Sequence, residues 1–412
     1  MPEATKDDTT QESVACTVGW PGRALIAWFL IAIFSVPLIQ LGWEIREGKP
    51  IQALGVFTLR PALECLQGYE RTLEDDSVVS EAVQPYVRWL ELVLLHSGTR
   101  KTVVGRGQAI FYRPALDSAV GPGFMDTPFG EGHPLPAIIA FRDDLRSMGV
   151  QLALLVVPGK QTIYPQWLSG RYSPASPVPT NSDMERFVAE LRRAGVLVVD
   201  PTAALVRARD HGGLEFLHSG SSAGADALPD SGGGLYLRQD THWTPSGLSV
   251  ALDELVRALP AQVHGSQGFE AEPVQITHHG DLYDMLNLPA LPTPLGPEKV
   301  TVHRVLDGLT RKPVEPDPQS PVVLLGDSFT NIYSLPEMQW GDHGGLSEQL
   351  ALKLGRTIDV IAQNDGGVNT ARSTLARRGA SVGDKKLVIW QFAARDLVVS
   401  NGDWKRINIA RR

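Results

Sequence analysis

A serine that could act as a nucleophile follows an apolar stretch in the C-terminal half of the chain. Residues Val322–Leu325 are apolar and partly β-branched, which predicts a buried parallel strand. Gly326 and Asp327 end this stretch, and Ser328 follows at once. Open α/β sheets bind ligands beyond the carboxyl ends of their strands, where backbone N–H groups can also stabilise an oxyanion. Asp327 and Ser328 could equally cap the next helix, so this stretch alone leaves both interpretations open.

An acid and a histidine with suitable spacing lie upstream of this serine. Asp240 and His242 belong to the stretch DTHWTPSG, in which Trp243 and Pro245 restrict the backbone. A carboxylate at this spacing can hold one imidazole nitrogen and leave the other free as a base. Ser328, His242 and Asp240 are therefore predicted to form a nucleophile, a base and an orienting acid.

The same Asp-x-His pair could instead be half of a metal site. Thr241 and Trp243 are poor ligands, and neither Cys nor Glu occurs close by. The other histidine cluster is the pair His278 and His279. These residue types favour the triad over a metal site, and no metal is predicted.

Several motifs together resemble those of a known family. GDSF after a strand resembles the first block of SGNH-type esterases, in which the histidine ordinarily comes last. The order in this chain, with Asp-x-His before Ser, resembles the alginate O-acetyltransferase (AlgJ/AlgX-like) family of bacterial exopolysaccharide acetylation. The resemblance includes the stretches Val104–Phe124, Val156–Pro165, Gly280–Pro289 and Val388–Leu397. The stretch GQAIF at residues 107–111 departs from the family's usual Asp-Gly-Trp-Leu-Phe, at a predicted turn rather than at the chemistry.

The resemblance implies an enzyme that transfers an acetyl group to hydroxyls of an alginate-like exopolysaccharide through an acyl-enzyme. It also implies a single-pass protein of the bacterial inner membrane with its catalytic domain in the periplasm. A membrane-bound O-acyltransferase would supply the acyl group, and no cofactor is predicted. A carbohydrate acetylesterase with the same triad and a non-catalytic polysaccharide-assembly or binding protein are the alternatives. Transfer and hydrolysis differ in water exclusion, which residue types do not reveal.

Further residues are candidate site members, each with a structural alternative. They are Gly366, Gly367, Asn369, Tyr333, Lys160, Tyr164 and Arg395. The glycine N–H groups could complete an oxyanion hole or form an ordinary strand-to-helix turn, and Asn369 could be the family's oxyanion Asn or a helix cap. Tyr333 could face the pocket or pack in the core. Lys160 and Tyr164 could contact an anionic sugar or shape a surface loop, and Arg395 could bind a uronate carboxylate or pair with acidic neighbours.

The pattern around these residues predicts an α/β fold, an SGNH-hydrolase-like three-layer sandwich with a parallel sheet. Strands are predicted at Val150–Val157, Val196–Asp200, Val322–Leu325, Ile358–Ala362 and Lys386–Phe392. Helices are predicted at Ile138–Met148, Met184–Ala194, Thr244–Leu259, Leu346–Leu354 and Thr370–Arg378. The Gly-, Ser- and Pro-rich stretches Gly212–Gly234 and Leu291–Pro321 are predicted to be loop-rich insertions or walls of the active site.

The N-terminal part predicts one transmembrane helix before this domain. Ala24–Trp43 contains no charged residue and is long enough to cross a bilayer. A buried helix of a soluble domain is the alternative, and the lack of a cleavage pattern after the segment favours an anchor over a signal peptide. The predicted organisation is a tail over residues 1–23, an anchor over 24–43, a stalk or packing segment over 44–100 and an acyltransferase domain over 101–412.

The stalk or packing segment carries apolar residues at helical spacing. They are Val83, Val87, Leu90, Val93 and Leu94. This spacing predicts an amphipathic helix, and a core-facing stripe is favoured over a partner surface.

Composition limits the functional classes. The 412 residues are 43% hydrophobic, which is sufficient for a full core and excludes global disorder. The net charge of −8 argues against a general nucleic-acid binder, which needs a basic surface. Cys16 and Cys65 flank the predicted anchor and would lie on opposite sides of a membrane, so no internal disulfide is predicted.

Overall fold

The computed structural model describes residues 19–52, 63–126, 132–173, 176–218, 234–364, 366–400 and 403–409. The chain divides into two compact units, Met1–Val87 and Arg88–Arg412. The second unit contains all the strands that the described ranges include.

A parallel sheet forms the centre of the second unit. The described residues of this unit form nine strands, not all of them in that sheet: β1 (Thr102–Val104), β2 (Ile110–Tyr112), β3 (Gln151–Val157), β4 (Leu197–Val199), β5 (Phe269–His278), β6 (Glu298–Asp307), β7 (Val322–Gly326), β8 (Asp359–Ala362) and β9 (Leu387–Ala393). Five of them pair in the order β4-β3-β9-β7-β8, and every neighbouring pair is parallel. All five strands lie at the positions that the apolar runs predict. The strand before Ser328, β7, therefore lies inside the sheet with β8 and β9 on its two sides.

The helices of the described residues are α1 (Trp20–Glu47), α2 (Leu63–Asp75), α3 (Val78–Leu95), α4 (Arg113–Val120), α5 (Pro134–Ser147), α6 (Lys160–Ile163), α7 (Pro165–Leu168), α8 (Met184–Arg193), α9 (Thr202–His218), α10 (Pro245–Ala258), α11 (Asp281–Asp284), α12 (Ser328–Asn331), α13 (Leu346–Leu354), α14 (Gly367–Arg377) and α15 (Asp396–Val399). Helices of the second unit cover both faces of the central sheet. Side chains of α5, α8 and α14 pack against one face, and those of α9, α10 and α13 pack against the other. Successive residues of β7 alternate between the two cores, with Leu324 in one and Val323 and Leu325 in the other. The predicted three-layer α/β sandwich is confirmed.

Two antiparallel strand pairs lie outside the central sheet. β1 pairs with β2, and the longer β5 pairs with β6 along its whole length. The prediction of a loop over Leu291–Pro321 is therefore wrong, because β6 lies within it. The signal was alternation: Val300 and Val302 are buried, whereas Thr301 between them is exposed. The loop predicted at Gly212–Gly234 is also wrong at its start, where α9 continues to His218, and residues 219–233 lie outside the described residues.

The first unit begins with the apolar helix α1. This helix has 28 residues, and its most apolar window has a mean hydropathy of 2.3, so it is long and apolar enough to cross a membrane. Apolar side chains such as Trp28, Phe34 and Leu38 are exposed. The helix begins at Trp20, inside the predicted tail, of which residues 1–18 lie outside the described residues.

The apolar stripe of α3 is not core-facing. Val83, Val87, Leu90 and Leu94 are exposed, at 51%, 47%, 49% and 65%, and Val93 is half-buried. Leu92, on another side of the helix, is the residue that is buried. The prediction of a core-facing stripe is wrong because helical spacing reveals an apolar face but not what covers it.

Candidate active site

Ser328 is the first residue of α12 and directly follows Asp327 at the end of β7. The side chain of Asp327 caps the short helix, since its Oδ1 accepts a hydrogen bond of 2.8 Å from the Phe329 N–H. Its Oδ2 accepts a second hydrogen bond of 3.1 Å from the Ala393 N–H on β9. The cap and the candidate nucleophile are thus different residues, and the hydroxyl of Ser328 is left for another contact.

Gln391 of the neighbouring strand β9 holds this turn in place. Its Oε1 accepts hydrogen bonds from the Asp327 N–H at 3.2 Å and from the Thr330 hydroxyl at 2.7 Å. A side chain at Gly326 would overlap Thr330, so the turn requires glycine there. The strand end and the first turn of α12 therefore place Ser328 at the carboxyl edge of the sheet.

The structure brings Asp240, His242 and Ser328 together. His242 Nε2 lies 2.8 Å from Ser328 Oγ, and His242 Nδ1 lies 2.6 Å from Asp240 Oδ1. Asp240 and His242 are 2% and 3% exposed, whereas Ser328 is half-buried. In this geometry the imidazole can take the serine proton while the carboxylate fixes its tautomer and orientation.

Two further contacts hold the Asp240 carboxylate. Its Oδ2 accepts hydrogen bonds from Trp340 Nε1 at 2.9 Å and from the Asp281 N–H at 3.0 Å. Sequence reasoning missed both residues. Trp340 lies 100 residues from Asp240, so no local pattern connects them. Asp281 lies in the stretch GDLYDMLNLP, which the family resemblance had singled out without a role.

The electrostatics of the pair favour an ionised acid beside a basic imidazole. Burial disfavours the charged Asp240, but the charge of His242 and hydrogen bonds from His242, Asp281 and Trp340 outweigh it, so the pKa of Asp240 lies well below its usual range. Burial likewise disfavours the charged His242. The Asp240 carboxylate and its hydrogen bond outweigh that effect and raise the pKa of His242 above its ordinary value of 6.5.

One group of described side chains is close enough together to consider as a metal site, namely Asp240, His242 and Asp281. Both oxygens of Asp240 already accept hydrogen bonds from N–H donors. Both oxygens of Asp281 accept from Thr241, one from its N–H and one from its hydroxyl. The four acceptor sites of Asp240 are thus used, and the two ring nitrogens of His242 contact Asp240 and Ser328, so two of the three residues offer no free ligand atom and the group does not fit a metal ion.

Lys160 is an internal support of the loop that carries His242. Its buried Nζ donates hydrogen bonds to the carbonyl oxygens of Leu237, Arg238 and Asp240, at 3.0, 2.7 and 2.8 Å. Burial lowers the pKa of Lys160 to about 8. The prediction that this side chain contacts a sugar or shapes a surface loop is wrong, because the ammonium group is enclosed and all its donors are used.

Tyr164 and Tyr333 also support this loop. The Leu235 N–H donates to the hydroxyl of the buried Tyr164 at 2.8 Å, so the predicted sugar contact of Tyr164 is wrong. The Tyr333 hydroxyl donates to the Trp243 carbonyl at 2.7 Å, and burial raises the pKa of Tyr333 well above its ordinary value. For Tyr333 the core alternative is therefore the correct one.

Asn369 is committed to the C-terminal segment. Its Nδ2 donates to the Asp403 carbonyl at 2.6 Å, and its Oδ1 accepts from Arg372 and from the Lys405 N–H. The predicted oxyanion role of Asn369 is wrong, because its amide already serves these partners. Gly366 caps α14 and Gly367 is its first residue, and both follow β8, the strand next to β7.

Asn364 is an amide that the sequence reasoning overlooked in the same segment. It follows β8, and its Oδ1 accepts a hydrogen bond of 2.8 Å from Asn331 Nδ2, in the helix that begins with Ser328. This contact places Asn364 beside the nucleophile turn. The sequence signal was its position two residues after the strand adjacent to β7, five residues before Asn369.

Arg395 lies at the edge of the triad. Its guanidinium carbon is 5.5 Å from the centre of the Tyr112 ring and 5.7 Å from that of Phe329. The Phe329 ring in turn contacts the His242 ring edge-on, at 4.7 Å. Arg395 Nε lies 3.8 Å from Oδ1 of its neighbour Asp396. Arg395 therefore pairs with an acid and also remains close to the site.

A cavity of about 330 Å³ lies between α10, β6 and α13, and its lining includes Ser249, Thr301, Gln349 and Lys353. Ser328 is not among the lining residues. We take the triad, rather than this cavity, as the candidate active site, because only the triad combines a nucleophile, a base and an acid.

Comparison with known proteins places the chain in a family of acetyltransferase domains. Residues 131–394 match the family model described as SGNH hydrolase-like domain, acetyltransferase AlgX. The chain is 27% identical over 323 residues to the probable alginate O-acetylase AlgJ of Pseudomonas putida, which covers 76% of this chain and 74% of that protein. It is 25% identical over 394 residues to the probable alginate O-acetylase AlgJ of Pseudomonas syringae pv. tomato, with 90% and 88% covered. The solved O-acetyltransferase domain of Pseudomonas putida AlgJ is similar in fold, with a TM-score of 0.50, 24% identity and coverage of 72% and 91%.

Proposed function

The chain belongs to the family of SGNH hydrolase-like acetyltransferase domains of the AlgX type, and from this premise we propose that it acetylates hydroxyls of a bacterial exopolysaccharide. The observation that carries the proposal is the position of His242, which lies 2.6 Å from Asp240 and 2.8 Å from Ser328. The names of the relatives favour an alginate-like acceptor.

Acylation is the first half of the proposed reaction. Ser328 Oγ attacks the acyl carbonyl of the donor while its proton passes to His242 Nε2. Asp240 stabilises the imidazolium that forms, and the carbonyl electron pair moves to the oxyanion. When the tetrahedral intermediate collapses, the bond to the leaving group breaks, and the leaving oxygen takes the proton from His242. The acetyl group is then an ester on Ser328.

Transfer is the second half. A sugar hydroxyl gives its proton to His242 Nε2 and attacks the ester carbonyl on Ser328. Collapse breaks the bond to Ser328 Oγ, which regains the proton from His242. The acceptor then carries the acetyl ester, and the enzyme returns to its starting state.

Backbone N–H groups and one amide are proposed to stabilise both oxyanions. The N–H of Ser328, at the start of α12, and that of Gly366, before α14, come from the ends of adjacent strands. We assign the amide role to Asn364 in place of Asn369, because Asn364 contacts the nucleophile helix through Asn331. Arg395 is proposed to contact an anionic group of the acceptor, because its cation lies beside Phe329 next to His242.

A transfer assay tests the proposed function. Full-length protein in detergent is incubated with p-nitrophenyl acetate and a de-O-acetylated alginate oligosaccharide. The mass of the oligosaccharide is then measured by mass spectrometry. We expect acetylated oligosaccharide in addition to released p-nitrophenol. Release of free acetate with no acetylated oligosaccharide, for this and for neutral oligosaccharides, would support the esterase alternative.

The pH dependence follows from the environment of His242. Only the neutral imidazole can accept a proton, and the pKa of His242 is raised above 6.5. The value of kcat/KM should therefore fall as the pH decreases through a value above 6.5, which a pH profile of p-nitrophenyl acetate hydrolysis measures. An acid limb centred clearly below 6.5 would contradict the assignment of His242 as the base.

We propose that α1 anchors the protein in the inner membrane with the catalytic domain in the periplasm. The supporting observation is an apolar helix of 28 residues near the N-terminus. Alkaline phosphatase fused after Leu63 should be active, since this reporter requires export, and β-galactosidase fused there should be inactive. The reverse pattern would place the domain in the cytoplasm.

The immediate source of the acetyl group is proposed to be a membrane-bound O-acyltransferase, because a periplasmic enzyme needs its acyl group delivered across the membrane. Deletion of such a partner should abolish polymer acetylation in cells but leave p-nitrophenyl acetate hydrolysis by the purified protein unchanged. Normal polymer acetylation in the deletion strain would exclude this partner.

A further inference from the structure

The N-terminus of α11 is joined to the turn that carries the catalytic acid by contacts in both directions. The Asp281 N–H donates to Asp240 Oδ2 at 3.0 Å. The Asp281 carboxylate in turn accepts from the Thr241 N–H at 2.7 Å and from the Thr241 hydroxyl. Residue 281 therefore holds both the acid and the residue between the acid and the base.

Gly280 allows the start of α11 to lie close to the turn that contains Asp240. A side chain at Gly280 would overlap Asp240 and the Gln239 carbonyl, so only glycine lets the start of α11 reach the turn. The Leu282 and Tyr283 N–H groups also donate to the Gln239 carbonyl, at 3.1 and 3.2 Å. The backbone that follows Asp281 is thus fixed to the carbonyl group of the residue before Asp240.

The position also matters electrostatically. Asp281 is half-buried, and desolvation together with the charge of Asp240 raises the pKa of Asp281 to about 6. At neutral pH its carboxylate is therefore mainly ionised, and this charge contributes to the raised pKa of His242. Other charged groups acting on the cluster are Lys160 of α6, Glu298 of β6, Arg238, and Arg395 before α15.

We propose that Asp281 is a positioning residue of the triad, which fixes the Asp240–His242 turn through Thr241 and adds a second negative charge behind the imidazole. This role rests on the proposed function of the triad. It assigns a distinct task to each part of Asp281: the N–H orients the acid, and the carboxylate orients the backbone of Thr241. His242 is thereby held towards Ser328 by the Asp240 carboxylate directly and by the Asp281 carboxylate through Thr241.

The test compares variants at this position by the rate of p-nitrophenyl acetate hydrolysis. Asp281→Asn keeps the size of the side chain but removes its charge. We expect kcat/KM to fall by roughly tenfold to 100-fold, because small displacements of catalytic groups have effects of this size. The acid limb should also move to lower pH, because loss of the nearby charge lowers the pKa of His242.

Two further variants separate charge from shape. Asp281→Glu retains the charge, so its acid limb should stay at the wild-type pH even if its rate falls. Asp284→Asn removes an exposed carboxylate from the same helix. It should change neither kcat/KM nor the pH at which the acid limb is centred. If the acid limb of Asp281→Asn is centred at the same pH as that of the wild type, the proposal is overturned. A merely structural residue would lower kcat/KM without changing the pH of the acid limb.

Folding and function are controlled separately. If Asp281→Asn does not fold, Thr241→Ala removes one donor to the carboxylate and should lower kcat/KM about tenfold, and an unchanged rate would overturn the proposal. Failure of the triad itself would appear in the wild-type protein, as hydrolysis that does not acylate Ser328. Failure of the present inference would appear only in the variants of Asp281 and Thr241.

Discussion

Replacement of Ser328 by alanine should abolish turnover of both p-nitrophenyl acetate and the natural acyl donor. The hydroxyl lies 2.8 Å from His242 Nε2 and is the atom proposed to carry the acyl group. Loss of a nucleophile of this type lowers kcat by roughly 10⁴- to 10⁶-fold, because no other group takes over the covalent step.

The fold should survive this substitution. Ser328 is half-buried at the first position of a short helix that Asp327 caps, so the free energy of unfolding should change by no more than about 1 kcal/mol. Thermal unfolding and circular dichroism verify this, and Ser249→Ala on α10 is a matched control that should retain full activity. Turnover by Ser328→Ala within tenfold of the wild type would exclude the covalent mechanism.

The second large effect is expected for replacement of His242, and it is measured in the single variant and in the double variant with Ser328→Ala. His242→Ala should lower kcat nearly as much as Ser328→Ala, because the serine then has no base 2.8 Å away. The double variant should be at most about tenfold slower than either single variant, since residues that act in one step are not additive. Effects that simply multiply would show that the two residues act independently.

Asp240→Asn provides the matching test of the acid. One oxygen of Asp240 accepts from Trp340 and from the Asp281 N–H, and the other contacts His242. If the amide oxygen of asparagine keeps the first two donors, its NH₂ group must face the imidazole and impose the wrong tautomer. We therefore expect a loss of roughly 10⁴-fold in kcat with the geometry intact. A loss below tenfold would show that Asp240 does not set the tautomer.

The parts of the fold that could be predicted from the sequence are those with continuous local signals. The strand before Ser328 is an uninterrupted apolar run, and such runs mark strands buried on both faces. Asp240 and His242 share one turn, so their spacing already indicated a joint role. The ribbon of β5 and β6 was missed because Pro- and Gly-rich flanks obscured the alternation around Val300.

The supporting residues could not be predicted, because their roles arise from contacts between distant parts of the chain. Lysine is almost always exposed, so nothing in the sequence indicated that Lys160 holds three carbonyl groups beside Asp240. Trp340 reaches Asp240 from 100 residues away. Asn369 was singled out and Asn364 was overlooked because the sequence does not reveal which amide contacts the C-terminal segment.

The most direct test of the central claim is detection of the acyl-enzyme. Full-length wild-type protein is mixed rapidly with p-nitrophenyl acetate, quenched in acid during the first turnover, digested and analysed by mass spectrometry. The account predicts one acetyl group on the peptide that contains Ser328, absent from Ser328→Ala and lost faster when an acceptor oligosaccharide is added. Rapid turnover without any acetylated Ser328, or acetylation confined to another residue, would contradict it.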